Sequence, residues 1–337
     1  MAPPLEILLA GGSGLMGEPT ARALLAAGHR LSVLSRGRRP SVVGAEAIAG
    51  DRTDARSLAV ALGGRTFDLV VDFLAYDGAD VSRLFDTPGL RIGRYVMIST
   101  GQVYLIGESR RPPFVEPDAG IPVMREPEQG TRAHANWVYG VGKRAAEAEV
   151  MRRREAGQEA LALRLPVVQG AGDGSRRLWA YLQRMLDGGP ILLPGGGGHP
   201  VRFVWAEDVG RAIAHLATGV SVPSFAYNVA MPDEPTLQEF LSMAATCLGA
   251  PLRTLEADPS ACDAAGLDER MSPYSGPWCS RPDPGLARAE LGFETTPSSI
   301  WLPEVVRAHL NETRPEPHPS YVQRAREIEF VRRLEDR

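Results

Sequence analysis

The sequence has few cysteines and no clustered histidines, and these absences exclude two kinds of site. Its 337 residues include only Cys247, Cys262 and Cys279, an odd number without Cys-x-x-Cys spacing. Free thiols of this kind indicate a reducing compartment. The six histidines show no metal-ligand spacing, so no metal site is predicted. His134 and His199 are further candidates for substrate contact.

The chain also lacks a strong charge of either sign and any long hydrophobic run. The formal net charge is −4, from 37 basic and 41 acidic residues, which predicts no nucleic-acid partner. No apolar run approaches the ~18 residues that a membrane span needs, and no cationic leader precedes the first apolar segment. We therefore expect a soluble, cytoplasmic protein, and the 44% of apolar residues suffice for a large core.

Glycine is abundant, with 36 residues, and three glycines form the most informative motif. Residues 7–17 read Ile-Leu-Leu-Ala-Gly-Gly-Ser-Gly-Leu-Met-Gly, an apolar strand that leads into a helix-forming segment. In a doubly wound sheet, this turn holds a dinucleotide pyrophosphate at a helix N-terminus. Gly11 allows the tight turn, Gly14 lets the backbone approach phosphate, and Gly17 lets the helix pack closely. The same turn contributes two further predicted cofactor residues, Leu15 and Met16.

Apolar segments alternate with helical segments through the first half of the chain. This order predicts an α/β fold, a Rossmann-type doubly wound parallel sheet with helices on both faces. The predicted strands are Glu6–Ala10, Arg30–Ser35, Ala45–Ala49, Leu69–Leu74, Arg94–Ser99 and Ala160–Leu165. The predicted helices are Glu18–Ala27, Arg56–Leu62, Ala79–Leu84 and Tyr139–Glu155. Between them, residues 107–135 show little periodicity and are predicted to be a functional loop.

The pattern changes after Pro166, which predicts a smaller C-terminal α/β domain for the substrate. We assign residues 1–165 to the dinucleotide-binding domain, with 200–230 returning to it, and residues 166–199 and 231–312 to the substrate domain. Elements predicted after Pro166 are a strand at Val201–Trp205 and helices at Arg177–Leu186, Asp208–Leu216 and Thr236–Leu248, whereas 256–285 is predicted to be irregular. The tail, 313–337, is predicted to be helical, with an apolar stripe at Tyr321, Ala325, Ile328, Val331 and Leu334. This helix either docks on the body or reaches a partner subunit.

Three further motifs follow the glycine turn in a specific order. The fifth strand ends Ile98-Ser99-Thr100-Gly101-Gln102-Val103-Tyr104, and Tyr139-Gly-Val-Gly-Lys143 comes later, at the start of a strong helix. A Tyr and a Lys four residues apart lie on one face of a helix. A last segment, Leu163-Arg-Leu-Pro166-Val-Val-Gln-Gly170, follows the next strand.

These motifs resemble those of the extended short-chain dehydrogenases/reductases, the superfamily of nucleotide-sugar epimerases, dehydratases and ketone reductases. GGSGLMG is similar to the family's GGTGFIG, and ISTGQVY to its strand-five serine/threonine motif. YGVGKRAAE is similar to its Tyr-x-x-x-Lys helix, and RLPVVQG to its segment beside the nicotinamide. The resemblance covers roughly residues 5–305 and implies hydride transfer coupled to proton transfer.

By this resemblance, Thr100, Tyr139 and Lys143 are the expected catalytic residues. Lys143, with the oxidised nicotinamide, would lower the pKa of the Tyr139 phenol from its usual value near 10, so that Tyr139 exchanges a proton with the substrate. Thr100 would hydrogen-bond the same substrate oxygen, although a strand-end hydroxyl that caps a turn is the alternative. Lys143 would also hold the nicotinamide ribose. The other expected cofactor residues are Asp51, Arg52, Phe73, Leu74, Ala75, Ser99, Pro166 and Val168.

The residues after the second strand favour NADP(H) over NAD. An acidic side chain there would hold the 2′-hydroxyl of NAD. This chain instead has Arg36, Arg38 and Arg39, which suit a 2′-phosphate through charge-assisted contacts. A solvated basic turn, with NAD as the cofactor, is the alternative.

Departures from the family motifs reduce the number of reactions that the chain could catalyse. Where nucleotide-sugar dehydratases follow the catalytic Thr with Asp-Glu, this chain has Gly101 and Gln102, which cannot act as acid and base. Decarboxylases with Glu at the second of these positions are disfavoured for the same reason. We therefore expect an NADP(H)-dependent oxidoreductase that reduces a ketone, or oxidises the alcohol, of a small metabolite.

Two alternative functions remain, and the resemblance also implies an assembly. One alternative is an NAD-dependent nucleotide-sugar 4-epimerase, and the other is a non-catalytic nucleotide- or RNA-binding relative. A homodimer is expected, since relatives pair through the helix that carries the catalytic tyrosine.

Substrate contacts are predicted for several polar and aromatic residues. Arg176, Arg177 and Arg202 could bind a diphosphate, with solvated charges as the alternative. Gln102 is a further candidate beside Thr100. Aromatic candidates for a substrate pocket are Tyr104, Trp137, Trp179 and Trp205, for which core packing is the alternative.

Overall fold

Two units make up the chain in the computed structural model, which describes residues 3–37, 42–311 and 316–336. The first unit comprises Met1–Val168, Val204–Ala230 and Ser280–Thr295. The second comprises Gln169–Phe203, Met231–Cys279 and Thr296–Arg337. No helix within the described ranges is long and apolar enough to cross a membrane.

Strands and helices alternate along the chain. The strands are β1 (Glu6–Ala10), β2 (Arg30–Ser35), β3 (Glu46–Ala49), β4 (Thr66–Asp72), β5 (Arg91–Thr100), β6 (Glu159–Leu165), β7 (Val167–Gln169), β8 (Ile191–Pro194), β9 (Phe203–Trp205), β10 (Ala226–Asn228) and β11 (Thr254–Ala257). The helices are α1 (Gly17–Ala26), α2 (Ala55–Leu62), α3 (Gly78–Phe85), α4 (Gln102–Leu105), α5 (Arg132–Glu155), α6 (Arg177–Leu186), α7 (Ala206–Leu216), α8 (Leu237–Leu248), α9 (Pro259–Ala264), α10 (Ser298–Asn311) and α11 (Arg324–Glu335).

Seven strands form one parallel sheet in the first unit, in the order β10-β6-β5-β4-β1-β2-β3. The chain order reverses between β1 and β4, and ligands of such sheets bind at the carboxyl ends of the strands at this switch point. The Rossmann-type fold predicted from the sequence is confirmed. In β1, Ile7 and Leu9 enter one buried cluster, while Leu8 and Ala10 enter another, because alternate side chains point to opposite faces.

Helix α5 lies close against neighbouring backbone because of two glycines in the Tyr-Gly-Val-Gly-Lys segment. A Cβ at Gly142 would stand 2.6 Å from the carbonyl oxygen of Tyr76, and one at Gly140 would stand 2.5 Å from Cγ2 of Ile106. The helix also begins earlier than the predicted Tyr139, because the Thr131 hydroxyl accepts a hydrogen bond from the His134 N–H and caps it. The predicted loop 107–135 is therefore shorter, and it contains a 3-10 turn at Glu116–Gly120.

Residues 280–295 join the first unit rather than the predicted substrate domain. The Phe114 N–H donates to the carbonyl of Arg281, and the Asn228 amide donates to the carbonyl of Asp283. Glu290 accepts a hydrogen bond from the Tyr227 hydroxyl. These bonds connect residues far apart in the chain, which no local pattern indicates.

The second unit contains the parallel pair β8–β11 and takes in the C-terminal helix. Part of the segment predicted to be irregular is ordered here as the end of β11, α9 and a 3-10 turn at Glu269–Met271. Helix α11 buries Val331 of the predicted stripe, but Ala325 is exposed. The buried face instead includes Arg324 and Glu327, which form ion pairs within the same unit. The tail therefore docks on its own chain.

Candidate active site

A cleft of about 630 Å³ opens at the switch point of the sheet. Every lining residue belongs to the first unit and follows, or ends, one of the strands β1 to β4. The lining consists of Gly11, Ser13, Gly14, Leu34, Ser35, Arg36, Gly50, Asp51, Arg52, Thr53, Leu74, Tyr76 and Asp80.

The glycine turn forms one wall of this cleft. A different structural reason explains why each of its three motif positions is a glycine. Gly11 has a φ of +90°, and a Cβ there would lie 2.5 Å from Cγ of Leu74. A Cβ at Gly17 would lie 2.4 Å from the carbonyl carbon of Gly12. Gly14, in contrast, has no described atom within 4 Å of its Cβ position, so the backbone is accessible there.

Helix α1 begins at this turn with Met16 as its N-cap, and no described side chain caps it. The first N–H groups of a helix lack intrahelical partners and carry a partial positive charge. The Glu18 N–H already donates to the carbonyl of Gly14 at 3.1 Å and Pro19 has no N–H, so the N–H groups of the turn and of Gly17, next to the open backbone at Gly14, are the ones that fit a pyrophosphate. Leu15 and Met16 of the turn are half-buried, and Met16 packs on the core.

Arg36 also lines the cleft and is exposed directly after β2. Arg38 and Arg39, predicted to act with it, lie outside the described residues. Asp51 turns one carboxylate oxygen towards its own loop, where it accepts from the N–H and the hydroxyl of Thr53 at 2.9 and 2.7 Å. The basic side chain at the end of β2 is thus placed where the adenosine ribose of a dinucleotide is expected.

Arg52 lines the cleft and also bonds to neighbouring residues of the lining and of β4. Its guanidinium pairs with the fully buried Asp72 and donates to the carbonyl of Asp80 at 2.9 Å. Asp72 also accepts from the Leu74 N–H at 2.8 Å and from the Tyr95 hydroxyl at 2.9 Å. This network joins the loops after β3 and β4, so Arg52 fixes the lining as well as contributing to it.

Lys143 is almost completely buried, with 2% of its surface exposed. Its Nζ donates to the carbonyl oxygens of Ala75 and Ile98, both at 2.7 Å, at the ends of β4 and β5. Burial disfavours the charged form and lowers the pKa of Lys143 to about 8. The ammonium therefore faces strand-end carbonyls in this structure.

Tyr76 connects the cleft to the Tyr139–Lys143 pair, and the sequence did not single it out. Its ring is centred 6.4 Å from the ring of Tyr139 and 5.6 Å from Nζ of Lys143. Tyr76 is half-exposed and lines the cleft. It directly follows the predicted Phe73–Ala75 segment, and its position in that loop is the one signal that could have identified it.

Thr100 ends β5 and is partly exposed. Its Oγ1 accepts from the Gln102 N–H at 3.2 Å, so the hydroxyl caps the first turn of α4. A hydroxyl that accepts one hydrogen bond keeps its own proton as a donor. Thr100 can therefore cap the turn and still donate to a substrate oxygen.

Gly101 has no room for any side chain. A Cβ there would lie 2.0 Å from Oγ and 2.5 Å from Cβ of Ser280, which is itself 5% exposed. Both residues belong to the first unit. The acidic residue of a dehydratase therefore could not occupy this position, which agrees with the chemistry expected from the sequence.

We expect Gly101→Ala to lower the free energy of unfolding by about 1–3 kcal/mol, the usual cost of overpacking. Urea denaturation of the purified variants measures this change. The double variant Gly101→Ala, Ser280→Gly should recover most of the loss, because it removes the clashing side chain. An unchanged stability of Gly101→Ala would contradict the contact.

Two predicted site residues are buried in the interior of the first unit. Ser99 is 3% exposed and donates to Glu147 at 2.5 Å, because its side chain points to the face of β5 opposite Thr100. Tyr104 is 1% exposed and its hydroxyl donates to Asn228 at 2.6 Å. Burial raises the pKa of Tyr104. Neither side chain lines the cleft, and the predicted contacts of Ser99 with the cofactor and of Tyr104 with the substrate stay predictions.

The partner of Ser99 is part of a buried ion pair that sequence reasoning missed. Glu147 accepts from Nε and Nη2 of Arg164 at 3.0 and 2.7 Å, and both side chains are buried. Glu147 lies one turn after Lys143 on α5, and Arg164 stands directly before the Leu-Pro segment. The pair joins α5, the helix that carries Tyr139 and Lys143, to β6.

The remaining cofactor candidates do not line the cleft. Phe73 is 8% exposed and Ala75 is fully buried, so only their backbones could face a ligand. Pro166 is buried and Val168 is half-buried against the core. Their assignment stays a prediction.

The arginine candidates for substrate binding belong to the second unit. Arg176 donates to the carbonyl of Glu316 at 3.1 Å, and Arg177 begins α6 half-exposed. Arg202 is 8% exposed, with Glu234 as a carboxylate partner at 3.7 Å. Their binding of a diphosphate also stays a prediction.

The other aromatic and histidine candidates have internal partners. The indole N–H of Trp179 donates to Glu316, and that of Trp137 donates to Met124, both at 3.2 Å. His199 contacts the carbonyl of Tyr274 at 3.0 Å, and His134 contacts Glu126 at 2.9 Å. Trp205 is half-buried before α7. Within the described ranges, no group of His, Cys, Asp and Glu is arranged to hold a metal ion.

Comparison with known proteins finds two reductases and a solved epimerase that resemble this chain. 2'-Dehydrokanamycin reductase of Streptomyces kanamyceticus is 30% identical over 220 residues, 63% of this chain and 58% of that protein. 2-Alkyl-3-oxoalkanoate reductase of Stenotrophomonas maltophilia is 26% identical over 265 residues, 73% of this chain and 77% of that protein. The match thus spans little more than half the length of the first reductase.

The solved structure of UDP-glucose 4-epimerase from Thermotoga maritima, with UDP-glucose, shares the fold. Its TM-score is 0.69 at 19% identity, over 90% of this chain and 98% of that one. The family model of the NAD-dependent epimerases/dehydratases matches residues 7–230, more than half of the chain. The two relatives are named as reductases, and the family model is that of NAD-dependent epimerases and dehydratases. The chain belongs to the NAD-dependent epimerase/dehydratase family.

Proposed function

We propose that this protein is an NADP(H)-dependent oxidoreductase that reduces a ketone, or oxidises the alcohol, of a small metabolite. The observation that carries the proposal is the continuity of the cleft with the catalytic pair. Tyr76 lines the cleft, and its ring contacts both Tyr139 and the ammonium of Lys143. Both relatives described above are named as reductases, which supports the same reaction type.

Three side chains have separate roles in the proton transfer that accompanies reduction of the ketone. The nicotinamide, when bound, supplies or accepts the hydride. Tyr139 gives its phenolic proton to the carbonyl oxygen as negative charge develops there, and in the reverse direction it takes the proton back. Lys143, one helical turn away, stabilises the phenolate, and Thr100 donates to the same substrate oxygen. Because position 101 has no space for a carboxylate, a second acid for eliminating water cannot stand there.

The preference for NADP(H) rests on Arg36. It is exposed at the rim of the cleft directly after β2, whereas Asp51 and Asp80 of the lining are engaged with Thr53 and Tyr76. A guanidinium contact with a 2′-phosphate contributes about 1.5–3 kcal/mol, equivalent to about 10–100-fold in affinity.

We expect the wild type to use NADPH at least about tenfold better than NADH in kcat/KM, and Arg36→Ser to lose about tenfold or more with NADPH. Because NADH has no 2′-phosphate, its kcat/KM should change much less. Steady-state kinetics with both cofactors measure the ratio. Arg56→Ser is the matched control, since Arg56 is exposed on α2 and does not line the cleft. Equal use of both cofactors by the wild type would overturn the preference for NADP(H), and better use of NADH would make NAD the cofactor.

The cofactor that copurifies separates reduction from 4-epimerisation. A reductase must exchange its cofactor at every turnover, so NADPH should be removed by gel filtration and should restore activity when it is added back. An epimerase regenerates its cofactor within one catalytic cycle. Retained NAD, together with interconversion of nucleotide sugars without added cofactor, would identify the epimerase.

A further inference from the structure

Glu147 is bonded to the end of β5, next to a residue that holds Lys143. The Lys143 ammonium donates to the carbonyl of Ile98 at 2.7 Å, and the Ser99 hydroxyl donates to a carboxylate oxygen of Glu147 at 2.5 Å. Ile98 and Ser99 are neighbours in β5. Lys143 and Glu147 are four residues apart on α5 and share one face of the helix. Two hydrogen bonds thus join adjacent residues of the strand to successive turns of the helix.

A guanidinium from a third element fixes the Glu147 carboxylate. The two carboxylate oxygens accept from Nε and Nη2 of Arg164, on β6, at 3.0 and 2.7 Å. Arg164 in turn donates from Nη1 to the carbonyl of Glu116 at 2.7 Å. Ser99, Glu147 and Arg164 are each at most 5% exposed, so water competes little for these bonds. A pair with two parallel hydrogen bonds restricts the direction of the carboxylate as well as its position.

Thr100, the proposed donor to the substrate oxygen, directly follows Ser99 at the end of β5. Neighbouring side chains of a strand point to opposite faces of the sheet, so a fixed Ser99 also fixes the direction of Thr100. Through the end of β5, the Glu147 carboxylate therefore determines where Lys143 and Thr100 stand relative to each other. Such placement matters because a displacement of about 1 Å can cost about 100-fold in rate.

The charge of Glu147 also acts on Lys143. The charged and titratable groups around the ammonium are Arg52 after β3, Asp72 at the end of β4, Tyr76 in the following loop, Asp80 on α3, and Tyr139 and Glu147 on α5. Arg52 pairs with both Asp72 and Asp80. Burial lowers the pKa of Lys143 to about 8, and the Glu147 carboxylate opposes this fall because it favours the charged ammonium. Loss of the carboxylate should therefore lower the pKa of Lys143 further.

We infer that Glu147 is a positioning residue for the proposed reduction, holding Lys143 and Thr100 in place through the end of β5. The inference rests on the proposed function, since the role belongs to the same site. Glu147 and Ser99 do not line the cleft, so their loss should change the rate of proton transfer and leave the binding of NADPH nearly unchanged.

The first test measures the charge of Lys143 without turnover. Lys143 is the only lysine in the sequence, so protein labelled with ¹³C at lysine Cε gives a single such signal in NMR spectra, and its pH titration reports the pKa of Lys143. Glu147→Gln keeps the side-chain length and an acceptor for Ser99 but removes the negative charge. The pKa of Lys143 should therefore fall by about one pH unit below the wild-type value.

Glu327→Gln is the matched control for this titration. It removes the charge of another buried carboxylate, whose partner Arg184 belongs, like Glu327, to the second unit. The pKa of Lys143 should stay at the wild-type value in this variant. An unchanged pKa in Glu147→Gln, or the same fall in both variants, would overturn the inference.

The second test measures the rate with the best-reduced member of a panel of small cyclic and aliphatic ketones. Ser99→Ala removes the hydrogen bond from β5 and leaves the Glu147–Arg164 pair intact, so it tests positioning even where Glu147→Gln does not fold. We expect kcat to fall about tenfold, because losing this buried hydrogen bond loosens the end of β5. The Kd of NADPH should stay within about twofold.

Ser32→Ala is the matched control for the rate. Ser32 is 5% exposed on β2 and donates to Glu46 at 2.8 Å, so the variant removes a similar hydrogen bond from another strand. It should keep most of the wild-type kcat. A kcat of Ser99→Ala within about twofold of wild type, or equal losses in the two serine variants, would overturn the inference.

The titration needs no substrate, so the outcomes separate this inference from the proposed function. A wild type that binds NADPH but reduces none of the ketones, with NADPH or NADH, overturns the proposed function, and a lowered pKa in Glu147→Gln would still show that Glu147 acts on Lys143. An unchanged pKa together with normal ketone reduction by the wild type overturns the role of Glu147 and leaves the proposed function in place.

Discussion

Tyr139→Phe is expected to lower kcat for ketone reduction by about 10³-fold, within the range that a positioned general acid contributes. The phenol is the proposed proton donor, and no neighbouring side chain is proposed to replace it. Tyr139 is 39% exposed, so the lost hydroxyl should have little effect on stability. Steady-state kinetics measure the rate, and quenching of nucleotide fluorescence measures the Kd of NADPH, which should stay within about twofold.

Tyr76→Phe is the matched control for this prediction. It removes a hydroxyl from the neighbouring ring of the same cleft and keeps the contact between the rings. We expect the control to retain most of the rate. A Tyr139→Phe rate within tenfold of wild type, or equal losses in the two variants, would contradict the assignment of Tyr139 as acid/base.

The pH dependence of the rate follows from Lys143. Burial lowers its pKa from 10.5 to about 8, so the ammonium is protonated at pH 7 and loses its proton as the pH rises through about 8. The charge that stabilises the Tyr139 phenolate disappears over the same interval. We therefore expect kcat/KM for reduction to fall above about pH 8. The Lys143→Met variant should have a low kcat/KM at every pH, and its kcat/KM should not fall between pH 7 and 9.

The second large effect is expected from Glu327→Ala in the C-terminal helix. Glu327 and Arg184 are each 1% exposed, and the carboxylate accepts from Nε of Arg184 at 2.8 Å and from Arg324 at 3.0 Å. Removing it leaves the buried guanidinium of Arg184 without its carboxylate partner, whereas Arg324 keeps its ion pair with Asp187. Breaking a buried ion pair in this way costs about 3–5 kcal/mol. Urea unfolding should show this loss.

Two comparison variants test whether the loss of stability comes from the buried ion pair. Glu329→Ala, on the same helix, removes an exposed ion pair with Arg333 and should change the free energy of unfolding by about 0–1 kcal/mol. The double variant Arg184→Met, Glu327→Leu replaces the charges by apolar groups and should recover much of the stability. Similar effects of Glu327→Ala and Glu329→Ala would show that the buried pair is not what holds α11.

Sequence patterns predicted six of the seven strands of the central sheet, because each signal is local, and missed the short edge strand β10. A fully buried strand is a short apolar run, and β1 and β2 have the predicted bounds. Helix ends were predicted less well where capping decided them. Helix α5 begins at Arg132 because of the Thr131 cap, whereas the apolar pattern becomes clear only near Tyr139.

In the candidate site, too, local motifs were predicted and features that depend on distant residues were not. The glycine turn and the Tyr139–Lys143 pair are motifs within a few residues of chain, so they can be recognised without coordinates. The direction of Ser99 could not be, because a shift of one position along a strand exchanges the two faces of the sheet. Its partner Glu147 lies on another element.

By itself, the sequence determined the Rossmann-type sheet, the dinucleotide turn and the family, because apolar periodicity, glycine spacing and motif order are properties of contiguous residues. Only the tertiary structure decided that Tyr76 joins the cleft to the catalytic pair, that Ser280 closes the space beside Gly101, and that Glu147 is bonded to the end of β5. These features depend on contacts between residues distant in the chain, and such contacts arise only when packing brings the elements together.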